Sequence, residues 1–353
     1  DPMRVDYDRV HAGRTALWDA AFAREKASAA PALRAALAAE PWLRDYCLYM
    51  AMKEEQGGAP WYAWPSALRD RDADALAEAA AQLDARVLLH AYLQTEFTRQ
   101  WDAVRAYAHA HGVRIIGDLP IYVAMDSADV WAEPECFQLD DQCVPTEVSG
   151  VPPDYFSADG QLWGNPLYAW DRMQADGFGW WIRRIDGAGK LYDVIRIDHF
   201  RGLDTYWAVP YGEATARKGQ WCKGPGMALV SALTGWFPGL QFIAEDLGYP
   251  SPGVQQLLQD SGLPGMKVLE FAFDSRDTSS YLPHSYTENC VCYTGTHDNS
   301  PLALWRQEAA PEDVACAKTY LGLNREEGYI RGMIRGCMGS VSRLCVVQMQ
   351  DYL

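Results

Sequence analysis

Three apolar runs in this chain each end in a carboxylate. They are VIRIDHFRG (194–202) with Asp198, FIAEDLG (242–248) with Glu245, and YTGTHDN (293–299) with Asp298. Short runs that are apolar almost throughout, separated by helix-period segments, read as parallel strands buried on both faces. An ionised carboxylate is costly to bury without partners, so one acid closing such a strand could be accidental. Three in succession point to acids converging at the carboxyl ends of the strands of a β/α barrel, where sites of that fold are built. The chain is therefore read as α/β.

The rest of the pattern supports this class. Residues 8–111 read as mainly helical, with Leu76, Ala80, Leu83, Val87 and Ala91, then Trp101, Val104 and Ala108, recurring at three- and four-residue spacing. Gly57-Gly58 and the proline-flanked stretch 60–65 divide them into two helical groups. VRIIGDLPIYV (113–123) is the first clear strand, and 124–170 reads as a long irregular segment. Helices are expected around 171–190, 226–236 and 252–261 and through much of 300–343. Strands are expected near 113, 193, 241, 266 (MKVLEFAF, 266–273), 291 and 344. Six strands leave a closed eight-stranded barrel two short, and an open barrel exposes two edges. Two strands are thus expected upstream of Asp1, or some other element covers the gap. The opening DPMRVDYDRV, unlike a native N-terminus, agrees with the first expectation.

Composition narrows the function classes. A formal charge of −16 over 353 residues argues against nucleic-acid binding, which needs a basic face. The 14 Trp and 19 Tyr pack cores, but such rings also stack on the apolar faces of sugars. The nine Cys form an odd set without metal-ligand spacing, as expected of reduced thiols in a reducing compartment, and a cytoplasmic location is expected. There is no apolar run of membrane-spanning length, no signal peptide at the start, and no GxGxxG or GxxxxGK after a strand.

Arg196 and Asp198, two apart on a strand, share a face. A guanidinium there is expected to lower the pKa of the acid and suit it to nucleophilic attack, although a structural ion pair reads the same way. Glu245, followed by Asp246, would hold a proton near neutrality in an apolar pocket beside other acids and could serve as a general acid. A strand-end Glu that caps the next helix is the plainer alternative. His297 and Asp298 could bond separate hydroxyls of one sugar ring, or Asp298 and Asn299 could cap a helix near 300. Asp118 in GDLP and Asp274 in FAFD also stand at expected strand ends. VPPDYFSADGQLWGNPLY (151–168) sets out Asp154, Tyr155, Phe156, Gln161, Trp163 and Asn165 on a shaped, Pro- and Gly-rich loop.

Six motifs, in order, carry a specific resemblance: GDLPIYVAMDSADVW, VPPDYFSADGQLWGNPLY, IRIDHFRG, AEDLG, GMKVLEFAFD and TGTHDN. They resemble the 4-α-glucanotransferases, the amylomaltases or disproportionating enzymes of glycoside hydrolase family 77, from about Val5 to the end. The resemblance implies a (β/α)8 TIM barrel of the alpha-amylase type with helical insertions. Residues 1–353 would be its catalytic barrel, lacking its first strands and incomplete at both ends. Residues 1–111 would form a mainly helical subdomain, and 124–170 a substrate-binding loop region. By resemblance Asp198 is the nucleophile, Glu245 the general acid/base and Asp298 the third acid. Asp118, Arg196, His199, Asp246, Asp274 and His297 would line donor subsites. Asp154, Tyr155, Phe156, Gln161 and Trp163 would form a loop over the cleft. The partners implied are maltooligosaccharides, amylose or other α-1,4-glucans, with no cofactor or metal, no nucleic acid and no membrane. An α-amylase-like hydrolase using the same acids and a non-catalytic glucan-binding protein are the alternatives.

Overall fold

The computed structural model describes residues 4–154, 157–248, 251–274 and 281–353. The strands are β1 (Ile116–Leu119), β2 (Glu147–Val151), β3 (Gln161–Pro166), β4 (Val194–Ile197), β5 (Thr205–Pro210), β6 (Gln220–Lys223), β7 (Gln241–Ala244), β8 (Gly265–Val268), β9 (Cys290–Tyr293) and β10 (Leu344–Val346). The chain divides into two compact units. One comprises Asp1–Ile115, Tyr122–Trp180 and Trp207–Trp221; the other comprises Ile116–Ile121, Trp181–Tyr206 and Cys222–Leu353.

The first unit begins with helices Tyr7–Ala39, Pro41–Glu55, Ala73–Gln82 and Asp84–Ala110. Asp6 caps the first by accepting from the Arg9 amide (3.0 Å), and Pro41 at the first position of the second loses no helical donor. Gly57 and Gly58, both at positive φ, follow the second helix, as the double glycine predicted. Asp126 ties helix to loop: its carboxylate accepts from Tyr49 Oη (2.6 Å), Lys53 Nζ (2.5 Å) and the Trp61 amide (3.3 Å). Buried Trp61, Trp64 and Trp131 pack around it.

The segment read as irregular contains a sheet. β3, β2, β5 and β6 form one sheet in that order, with β2 antiparallel to both β3 and β5. Two features hid it. β2 and β3 are short and carry Gly, Asn and Pro, and the other neighbour of β2 lies some sixty residues downstream, with Gly150 opposite Trp207. Gly160, between β2 and β3, has φ +67°, and a Cβ there would fall 2.4 Å from the Val151 carbonyl oxygen, so only glycine fits.

The second unit holds the parallel strands. β1-β4-β7 form one sheet and β10-β9-β8 another; the Ala244 amide donates to the Pro264 carbonyl (2.9 Å) where β7 runs beside β8. Side chains alternate across the strands. Val194, Ile243, Met266, Val268, Val291 and Tyr293 pack together on one face. Cys290 and Cys292 turn to the other, packing against residues of the helices Pro311–Leu321 and Tyr329–Met338. Burial on both faces is why these strands are apolar throughout. Among the described residues β1 pairs only with β4 and β10 only with β9.

Two strands are shorter than expected. β1 stops at Leu119 because Pro120 has no amide to donate. MKVLEFAF leaves the extended form after Val268 and continues as the 3-10 helix Leu269–Phe273, so Asp274 ends a helix rather than a strand.

Candidate active site

The ladder continues one residue past the ends of β4 and β7. The Asp198 amide donates to the Leu119 carbonyl and the Glu245 amide to the Ile197 carbonyl, both at 3.0 Å. Alternation then fixes direction: Asp198 points with Val194 and Arg196, and Glu245 points with Ile243. Asp118 and Arg196 are register partners on β1 and β4. Asp118, Arg196, Asp198 and Glu245 therefore reach the carboxyl end of the strands on the Val194–Ile243 face.

Arg196 is the hub. Its side chain is 8% exposed, with Nη1 2.5 Å from Asp118 Oδ1 and 3.1 Å from Asp198 Oδ1, and Nε on the Met266 sulfur. One guanidinium nitrogen thus answers two carboxylates. Arg196 lowers the pKa of Asp198, as expected of a guanidinium, yet the net shift is upward. Burial raises it, the charges of Asp118 and Asp298 add to the rise, and Arg196 offsets them only in part.

Glu245 is 7% exposed, and its pKa rises to about 7. Burial is the main cause and the charge of Asp198 contributes; Arg196 and two backbone donors oppose them. Those donors are the His199 amide on Oε2 (2.7 Å) and the Leu247 amide on Oε1 (2.9 Å). They fix the carboxyl plane and leave each oxygen a lone pair for a proton. A carboxyl half-protonated near neutrality can both give and take a proton. His199 reaches Glu245 from a left-handed backbone (φ +52°), uncommon for a residue with a side chain. Enclosure, with Arg201 nearby, drops its imidazole to about 3, so the ring is neutral.

His297 and Asp298 lie on a turn after β9, both exposed. His297 Nε2 is 3.6 Å from Asp298 Oδ1 and 3.9 Å from Asp118 Oδ2. The turn is held from within and below. Asn299 Oδ1 accepts from the amide and hydroxyl of Thr296 (2.9 Å each), and Gln348 Nε2 donates to the Thr296 and Asn299 carbonyls. Asp351 accepts from Thr294 Oγ1 (2.9 Å) and the Leu302 amide (2.8 Å). Asn299 therefore folds back on its own turn instead of capping a helix, and the helix from Leu302 takes its acceptor from Asp351. Gln348 and Asp351 are sequence-distant from the turn, and nothing local in the chain marked them. A cleft of about 440 Å³ opens here, lined by Asp118, Arg196, Tyr293, His297, Asn299 and Gln348 among others.

Glu270 sits beneath the same turn, 6% exposed, and its Oε1 has no hydrogen-bond partner among the described residues. Burial, with the charges of Asp351 and Glu308, raises its pKa to about 8. The folded chain thus holds a proton that the unfolded chain releases near the ordinary Glu range, so stability falls as pH climbs from there through about 8. Glu270→Gln removes this dependence. Its melting temperature will exceed that of the parent at pH 8, by a free-energy gap on the order of 3 kcal/mol, and the two melting curves will converge near pH 4.5.

The other candidate residues lie outside this cluster of acids. Asp246 turns away from Glu245 and accepts from the Met266 amide (2.7 Å), clamping β7 to β8; burial raises its pKa. Asp274 is half-buried at the end of its helix. In the first unit, Asp154 Oδ1 accepts from the Ser157 amide (2.8 Å), closing a local turn. Gln161 and Trp163 stand exposed on β3, joined by Trp163 Nε1 to Gln161 Oε1 (3.1 Å). Asn165 instead bridges the Val123 carbonyl and Ser149. Tyr155 and Phe156 lie outside the described residues. No helix among the described residues is long and apolar enough to cross a membrane.

Comparison with known proteins identifies the family. The profile of the Glyco_hydro_77 family, described as 4-alpha-glucanotransferase, matches residues 1–353. The 4-alpha-glucanotransferase of Thermus thermophilus is 46% identical over 362 residues, covering 99% of this chain and 72% of that protein. That of Aquifex aeolicus is 46% identical over 313 residues, covering 88% of this chain and 64% of its own. Among solved structures, the amylomaltase from Streptococcus agalactiae in complex with acarbose superposes with a TM-score of 0.93 at 38% identity, covering 98% of this chain and 71% of that one. An α/β architecture with acids gathered at its strand ends, matched along its whole length by the family profile, belongs to the 4-alpha-glucanotransferase family, enzymes that transfer segments of α-1,4-glucan.

Proposed function

We propose that this chain moves α-1,4-glucan segments between maltooligosaccharides by retaining double displacement. Asp198 attacks the anomeric carbon while Glu245 protonates the leaving glycosidic oxygen. Glu245, now a base, then activates the 4-hydroxyl of an acceptor glucan, which displaces Asp198. The observation that carries this reading is the unequal pair: Glu245 enclosed with a pKa of about 7, and Asp198 touching Arg196. Arg196 and its bond to Asp118 hold the nucleophile in place and favour its ionised form against burial. His297 and Asp298, exposed on a turn braced by Gln348, Asn299 and Asp351, grip sugar hydroxyls and favour the distorted ring. Neutral His199 and the cleft beside Asp118 complete the donor side. No step calls for a cofactor.

The finer assignments belong to the same reading. The six parallel strands form part of a (β/α)8 barrel of the α-amylase type. Asp154, Tyr155, Phe156, Gln161 and Trp163 form a sugar-binding segment, supported by the exposed Trp163 face with Gln161 beside it. Asp274 is assigned to the donor subsites in the same reading, while Asp246 acts through its clamp on β8. Nine free thiols accord with the cytoplasm.

Maltotriose as sole substrate tests transfer against hydrolysis, since acceptor sugar and water compete for one intermediate. Transfer yields glucose together with maltooligosaccharides longer than the substrate, and total reducing ends stay constant. A steady rise in reducing ends with no longer product would replace this reading with an amylase-like hydrolase. Binding without turnover would replace it with a glucan-binding protein.

A further inference from the structure

All nine cysteines are free, and three of them meet. Cys292 on β9 and Cys345 on β10 are register partners on adjacent parallel strands. Cys337, on the helix Tyr329–Met338, brings its Sγ to 3.1 Å from that of Cys292. Cys345 packs against the same cluster, and the Tyr286 hydroxyl faces the thiols. Cys292 and Cys337 are buried among Leu269, Phe273 and Ile334, whereas Cys345 is half-exposed.

Packing alone explains a buried thiol, but a cluster of three thiols has chemistry of its own. When one sulfur loses its proton, the other two can both donate to it. The half-exposed member is where the negative charge costs least. Donation from Cys292 and then Cys337 accordingly holds the Cys345 thiol below its ordinary range, while the Cys337 thiol is held above it. An accessible thiolate beside two further thiols has the layout of an oxidisable site with its resolving partner in place.

We propose that Cys292, Cys337 and Cys345 form an oxidation site that a hydroperoxide converts to a disulfide containing Cys337. The Cys345 thiolate attacks the terminal peroxide oxygen. An S–O bond forms, the O–O bond breaks, and the departing oxygen leaves as an alcohol, or as water from hydrogen peroxide, after taking a proton. The resulting sulfenic acid is attacked by the Cys337 sulfur: the S–S bond forms, and the hydroxyl leaves with the thiol proton as water. With hydrogen peroxide, two thiols lose two electrons and two protons and the oxidant becomes two waters. Cys337 is the required partner on geometric grounds. Side chains of register partners on adjacent parallel strands leave the sheet side by side, whereas the Cys337 sulfur meets that of Cys292 at 3.1 Å. Cys337 approaches from a helix and is not bound to that register.

The test is hydrogen peroxide titration of the folded protein, followed by thiol blocking, peptide mapping and intact mass. The expected result is loss of two thiols, a mass decrease of about 2 Da reversed by dithiothreitol, and a cross-linked peptide containing Cys337. Cys345→Ser will slow thiol loss about tenfold, and Cys316→Ser, at an exposed site elsewhere, will leave it unchanged. A disulfide lacking Cys337, or oxidation confined to cysteines outside the three, overturns the proposal. Because the parent map decides this alone, the result stands even if Cys337→Ser fails to fold.

Discussion

Asp198→Asn will abolish glucan transfer, lowering kcat by on the order of 10⁴-fold or more while the protein remains folded. An amide cannot form the glycosyl ester, and no other carboxylate holds the same place. Asp118 shares the Arg196 Nη1 contact but projects from β1 rather than from the end of β4, and Asp298 stands on the exposed turn. The substitution also removes one of the two charges that Arg196 answers, so stability will change little beside the loss of activity. Maltotriose turnover with melting temperature as the control checks this. Residual transfer within about tenfold of the parent would remove Asp198 from the mechanism.

Glu245→Gln will lower kcat/KM for maltooligosaccharides by roughly 10²- to 10⁴-fold, the range for losing a general acid. The pH profile carries the sharper signature. Burial raises both acids, Glu245 to about 7, and Asp198 must be ionised when Glu245 is protonated. Activity therefore rises as pH passes upward through the Asp198 pKa and falls as it passes through about 7. The Gln variant loses the alkaline limb. With α-maltosyl fluoride as donor the leaving fluoride needs no proton, so the first step of the variant will approach that of the parent. Equal losses with fluoride and natural donors would mean that Glu245 acts by some means other than proton donation.

The core of the second unit was legible because the physics that forms it is local. VIRI, QFIA and CVCY are buried on both faces, so their apolar runs stand out, and each leads to an acid at or shortly beyond its carboxyl end. Non-local features were illegible. The β3-β2-β5-β6 sheet depends on pairing between 147–151 and 205–210, and short strands bearing Gly and Pro give no period to read. Gln348 and Asp351 reach the His297–Asp298 turn from about fifty residues away. The net shift of the Asp198 pKa was illegible for a related reason. The Arg196 charge can be read from spacing two, but the burial that outweighs it and the converging charges of Asp118 and Asp298 come from other strands and turns. MKVLEFAF reads as one strand because Phe271 and Phe273 are packed against apolar neighbours, yet the chain coils after Val268 and tucks Glu270 under the active-site turn.

In the proposed mechanism catalysis rests on a covalent sugar ester at the end of β4, formed opposite a proton held on β7. Trapping with 5-fluoro-α-D-glucosyl fluoride, then protease digestion and mass spectrometry, examines it directly, since the fluorine slows release of the ester. The label is predicted on the peptide containing Arg196-Ile197-Asp198, bound through the Asp198 carboxylate, and chased off by added maltose to give a transfer product. A label on any other residue, or inactivation with none at Asp198, would contradict it.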